Sequence, residues 1–452
     1  MNNTVDMTVG KPWKLIVKFA IPIIISQTFQ LLYSTIDSLI VGNFVGKEAL
    51  AAVSSSGSLI MLFTSLFIGT AMGAGVIISK YFGEKNYEDM SKAIHTNIAF
   101  GLCAGVILTV IGVFLTPYIL KLMQTPSDIL PLSIVYFRYF FLGVLAVVMY
   151  NIFNGILQAI GNTKRPLMYL IISSLLNICL DLLFVGVFGL GVAGAAIATM
   201  ISQFTSAFLC FLFLIKKGTV YQVKITKIGF HPHMLSQILK YGLPAGIQNS
   251  VIALANVFVQ SNINTFESDA VAGCGIYNKI DGFAFVPITG FTMAIATFTG
   301  QNLGAKQYDR AKQGSRFGII TAMLLAEFVG LMLFLFAPSL AKLFNGDPNV
   351  IAITTKQFRT ISLFSCLLAY SHSVAAVCRG AGKAFVPMII MVSIWCVFRV
   401  IYIYIIMAID HSIVYLFIAY PLTWSISSII YFIYYHKSNW IYGFEKKETL
   451  ED

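Results

Sequence analysis

Apolar runs dominate the chain. Apolar stretches of about two dozen residues or more, each with at most two charged residues, alternate with short polar connections, and about twelve can be counted. They fall at 15–41, 50–79, 93–116, 130–157, 166–189, 192–215, 237–264, 270–300, 316–337, 355–378, 386–409 and 412–436. Runs of this length suit helices that cross a bilayer. They are too long for the strands of a membrane barrel, and a helix satisfies its own backbone where lipid cannot. The pattern predicts an all-α integral membrane protein with twelve transmembrane helices.

Composition agrees. The 452 residues are 58% hydrophobic and only 11% charged, against roughly 25% charged in soluble domains. The net charge of +11 would point to nucleic acid in a soluble protein. Here the cations cluster in alternate loops, so no nucleic-acid partner is expected. Lys80, Lys85 and Lys92, Lys164 and Arg165, Lys216 to Lys227, Lys306 to Arg316, and Arg379 with Lys383 share one side with both termini. That side is expected to be the cytoplasm, in a cytoplasmic (inner) membrane protein with both termini inside. The first apolar run is too long for a signal-peptide core and is expected to be an uncleaved helix. Seven cysteines without a CxxC are expected to pack as small apolar side chains.

The chain repeats itself. Shifted by 221 positions, Gly83 and Tyr87 fall on Gly304 and Tyr308, Pro117 on Pro338, Arg138 on Arg359, and Gly161 and Pro166 on Gly382 and Pro387. Pro22 meets Pro244 at a shift of 222. The reading is an N-terminal lobe at 1–215, a linker at 216–236 and a C-terminal lobe at 237–452. Six spans per lobe give both lobes one orientation, related by a pseudo-twofold axis along the membrane normal. A cavity between two such lobes suits alternating access.

Scaffold residues recur in both halves, so polar residues found in one half only are the better functional candidates. Charges deep in a span are costly and mark function by default. Asp37 ends a stripe of Gln27, Gln30 and Ser34 on the first helix, and Ser174, Asn177 and Asp181 share a face of the fifth. Asn151, Asn154 and Gln158 lie on the fourth, and Thr199, Ser202 and Gln203 on the sixth. In the second half Asn154 becomes Ala375, Asn177 becomes Phe398 and Asp181 becomes Tyr402. Asp181 follows Arg165 by about 24 Å of helix, placing it in the outer half of the bilayer, where Asp37 can meet it. Two such carboxylates can titrate as a coupled pair, or share one monovalent cation with the Asn177 amide oxygen. Asp281, Glu327 and Arg399 are the remaining intramembrane charges of interest. Pro22, Pro244 and Pro287 lie inside spans, where each removes a helical hydrogen bond. No GxxxxGK[ST] is present, so no direct use of ATP is expected, and HExxH and GxSxG are absent too.

Several segments resemble the multidrug and toxic compound extrusion (MATE) family. They are Gly300-Gln301-Asn302-Leu303-Gly304-Ala305 with Tyr308 and Arg310-Ala311, Leu157 to Pro166, Asn177-Ile178-Cys179-Leu180-Asp181, and Ile36-Asp37-Ser38 with Gly42. The resemblance implies a secondary antiporter, not an enzyme. Such a protein expels cationic amphipathic compounds in exchange for H⁺ or Na⁺, with no other cofactor, and is expected to work as a monomer among membrane lipid. It further implies that Asp37, Asn177 and Asp181 read the coupling ion, a Na⁺ site included. Gln30, Asn154 and Thr199 would line the cavity and Pro22 would let the first helix bend. No acid lies between Gln248 and Val259, where some relatives carry one, so Asp281 is the substitute candidate for the second lobe's cavity. The alternative is a flippase for a lipid-linked precursor, which would need a more cationic cavity.

Overall fold

The computed structural model describes residues 4–46, 49, 53, 69–122 and 129–445. Among them the chain is helical with no strand. The helices are α1 (Pro12–Phe44), α2 (69–83 of it described), α3 (Tyr87–Leu122), α4 (Leu130–Ala159), α5 (Lys164–Val187) and α6 (Gly191–Leu214). After a linker come α7 (Pro232–Ile263), α8 (Ser268–Gly304), α9 (Tyr308–Phe344), α10 (Pro348–Gly380), α11 (Phe385–Ile409) and α12 (Ile413–Lys437). Eleven of the described helices are long and apolar enough to span a membrane. Most of the second expected span, 50–79, lies outside the described residues.

The helices overrun several apolar runs that announce them. The expected 93–116 becomes Tyr87–Leu122 and 316–337 becomes Tyr308–Phe344. A helix keeps its hydrogen-bond ladder into polar flanks, so hydropathy marks the lipid-buried part only. The turns entering α3 and α9 are copies of each other. Lys85 and Lys306, 221 apart, are the two non-glycine residues with positive φ among the described residues, 57° and 56°.

The chain packs as two compact units. One is Met1–Asp6 with Ile25–Gly246, the other Met7–Ile24 with Ile247–Asp452. The division runs through α1 and α7, not through the linker at 216–236. Both cuts fall just past a proline, Pro22 or Pro244, and they are 222 positions apart like the prolines themselves. The local packing explains this. The first half of α1 places Phe19, Ala20 and Ile23 in a cluster with Phe291, Ala294 and Phe298 of α8 and Ala322 of α9. The first half of α7 lies on α2, where a Cβ on Gly69 would stand 2.1 Å from Gly246 N and one on Gly73 2.3 Å from Gly242 N. Paired small residues four apart let two helix backbones touch in this way.

Within the first unit α3 packs on α4, and α4 and α5 on α6; within the second, α9 packs on α10, and α10 and α11 on α12. The duplication is therefore visible in packing as well as in sequence.

Candidate ion and substrate site

Asp37 and Tyr33 sit one turn apart on α1, beyond Pro22. On α5, Ser174, Asn177 and Asp181 follow at helical spacing, and all three are buried. Asp37 is 9% exposed and Asp181 0%, and the two carboxyl groups are close enough to interact electrostatically. Among the described residues no lysine or arginine pairs with either. The Gln203 Nε2 of α6 donates to the Tyr33 hydroxyl at 3.3 Å. Gln30 lies by the same hydroxyl, and Tyr136 of α4 stands within electrostatic reach of both carboxylates. A cavity of about 10 Å³ is lined here by Tyr33, Ser174, Asn177, Thr199, Ser202 and Gln203 among others, enough for about one water-sized occupant.

Several polar atoms around this point are buried without a partner: Asp37 Oδ1, both Asp181 oxygens, Asn177 Oδ1 and Ser174 Oγ. Buried oxygens are normally satisfied. An unsatisfied set rich in oxygens is the donor chemistry of a hard monovalent cation or of a carried proton. Directly after Asp181 the helix widens into a π-helical stretch, Leu182–Val187. Such bulges are frequent at functional sites.

The sequence-derived candidates are thus brought together in part. Asp37, Asn177, Asp181 and Thr199 converge. Gln30 is exposed at the edge of the group beside Tyr33. Asn154 is engaged within its own helix, its Oδ1 accepting from Gln158 Nε2 at 3.0 Å. Pro22 is buried inside α1, and Asp281 belongs to the second unit, where the Tyr277 hydroxyl donates to it at 3.3 Å. Tyr33 and Tyr136 carry no signal in a hydropathy reading, because tyrosine counts as apolar there. Only the position of Tyr33 one turn before Asp37 hints at it. His231 and His233 do not converge: His231 meets Thr96 and His233 meets Gln237. Among the described residues no group of three His, Cys, Asp or Glu could hold a metal.

Two homologous bundles of membrane-spanning helices, one carrying a buried acidic site, define a duplicated membrane transporter. The chain belongs to the MatE family, which matches it twice, over residues 22–183 and 244–405. The two matches are offset by 222 and reproduce the internal repeat. Among curated proteins it is 29% identical to a probable multidrug resistance protein of Bacillus subtilis, YoeA, covering 85% of this chain and 84% of the relative. It is 27% identical to a probable multidrug resistance protein NorM of Thermotoga maritima, covering 84% and 83%. Among solved structures, the outward-facing form of a multidrug resistance MATE transporter aligns with a TM-score of 0.90 at 25% identity, over 99% of both chains. A MOP superfamily transporter of Pyrococcus furiosus, described as having a binding pocket of reversed polarity, aligns at 0.92 and 25% identity, over 99% and 100%. The protein is a multi-pass membrane transporter and not an enzyme.

Proposed function

We propose that this transporter exports cationic amphipathic drugs or toxins in exchange for H⁺ or Na⁺, by alternating access across the cytoplasmic membrane. Both termini lie in the cytoplasm in this reading. The observation that carries it is the buried Asp37–Asp181 pair with its unpartnered oxygens and, among the described residues, no lysine or arginine paired with it. Such a site holds one positive charge well and two poorly, so ion and substrate compete for it. Asn177 adds an amide oxygen to the ion's shell, and Thr199, Gln30 and Asn154 flank the substrate path. Pro22 supplies the flexible point of α1, a role supported by the change of packing unit two residues later.

The test is efflux from proteoliposomes under an imposed gradient. Asp37→Asn is expected to reduce ion-driven ethidium efflux to background, with thermal melting in detergent within a few degrees of wild type. Efflux at the wild-type rate overturns the site. Imposing the pH and sodium gradients separately identifies the coupling ion, because only the coupled gradient drives flux.

A further inference from the structure

The second unit carries a buried charge that the ion site does not use. Arg399 of α11 is 2% exposed. Its Nη2 donates to Thr423 Oγ1 at 2.8 Å. Its guanidinium lies 4.6 Å from the centre of the Tyr420 ring and 5.9 Å from that of Trp395. The His372 ring stands edge-on to Trp395 at 5.2 Å. Among the described residues no carboxylate pairs with Arg399, and its Nε has no acceptor at all.

The internal repeat gives this arrangement a meaning. Subtracting 221 from Trp395, Arg399, Tyr420 and Thr423 gives Ser174, Ile178, Thr199 and Ser202. Three of these line the small cavity beside Asp37 and Asp181. The residues around Arg399 are therefore the second copy of the lining of the first unit's small cavity, rebuilt. Two of the hydroxyls, Ser174 and Thr199, have become the rings of Trp395 and Tyr420, Ser202 stays a hydroxyl as Thr423, and the guanidinium stands where the first unit has Ile178, Asp181 itself having become Tyr402. Each unit has a π-helical stretch next to its buried charge, at different positions of the repeat: Leu182–Val187 begins after Asp181, and Val392–Phe398 ends before Arg399.

A guanidinium has five donors and no acceptor. Leaving one buried without an acceptor is costly, and a planar oxyanion matches its donor edge. Aromatic faces on either side suit a flat ring system attached to that oxyanion. Asp281, which shares the neighbour Tyr420 with Arg399, can meet a positive group on the same molecule. We propose that the second unit holds an oxyanion subsite, centred on Arg399 between Tyr420 and Trp395, which takes the carboxylate of a zwitterionic aromatic solute. The subsite extends the transporter's range beyond simple cations.

A matched pair of dyes tests this. Rhodamine B carries a free carboxylate, and its ethyl ester has the same cationic ring without it. In proteoliposomes Arg399→Gln is expected to reduce rhodamine B flux about tenfold or more, as loss of a charged buried hydrogen bond implies. Ester flux should change less than about twofold, and Arg399→Lys should fall between. Equal loss of both dyes marks a structural role and overturns the subsite, as does no loss of either. In the wild type, free benzoate should inhibit rhodamine B flux and spare the ester; inhibition of neither, or of both alike, overturns it without relying on a variant. Adding phosphatidylglycerol to phosphatidylcholine vesicles should leave the preference intact. Its disappearance would assign the site to a lipid phosphate and overturn the solute reading. Ester flux alone bears on the export reading above, so the two ideas fail separately.

Discussion

At the scale of single residues, charge inside the membrane has more than one use, and the structure sorts the cases. Asp37 and Asp181 face each other with oxygens unpaired. Glu327 does the opposite: its Oε2 accepts the backbone N–H of Cys366 at 2.9 Å. That amide follows the 3-10 turn Ser362–Phe364, which interrupts α10. Glu327 therefore satisfies a broken helix. Glu327→Gln keeps a carbonyl oxygen and should leave melting nearly unchanged. Glu327→Leu strands the amide and should cost about 1–3 kcal/mol, read as a lower melting temperature with substrate preference intact. None of this is legible in the sequence, because a bond from a side chain to a backbone group 39 residues away leaves no periodic trace. The partners of Arg399 are hidden for the same reason: a hydroxyl and two ring faces carry no complementary charge. Asp37 with Asp181 was legible, because a stripe of polar residues on an otherwise apolar helix can be read at a spacing of three and four.

At the scale of elements, the repeat was the most legible feature and the helix ends the least. Landmarks at one offset identify paired turns, and the positive-φ lysines at 85 and 306 show that the backbone keeps the same register. The family motifs near residues 161 and 301 have local structural work. Gly161 O accepts from Val5 N at 3.1 Å, while the Gln301 side chain accepts from Met7 N at 3.0 Å and Asn302 donates to Met7 O at 3.2 Å. A resemblance could name these segments, but their partner is a polar stretch before the first helix that hydropathy passes over. The α2–α7 crossing is the element-level test of packing. A side chain at Gly73 would collide with Gly242 backbone, which cannot yield as a flexible side chain can. Gly73→Leu is expected to destabilise by a few kcal/mol and to lower the yield of folded protein on size exclusion. Gly229, with open space around it, serves as the control, and its leucine variant should behave as wild type.

At the scale of the whole chain, the sequence suggests two halves joined by a linker, whereas the packing groups the chain differently. The first half of α1 belongs with residues 247–452 and the first half of α7 with 25–246. Hydropathy cannot reveal this, because a helix that changes neighbours along its length stays apolar throughout. The arrangement makes a prediction for a protein cut within residues 217–221. Residues 1–216 expressed alone should aggregate, and so should the remainder. Co-expressed, the two should co-purify and restore efflux, whereas independent folding of either fragment would contradict the division. The same feature bears on ancestry. A single six-helix forerunner that used its opening half-helix in this way would have left one pocket for a half-helix unfilled and one half-helix without a pocket. Two copies trading those segments would fill both. A forerunner working as a pair of identical chains would meet that condition, and fusion of the two copies would then tie together partners that already depended on each other.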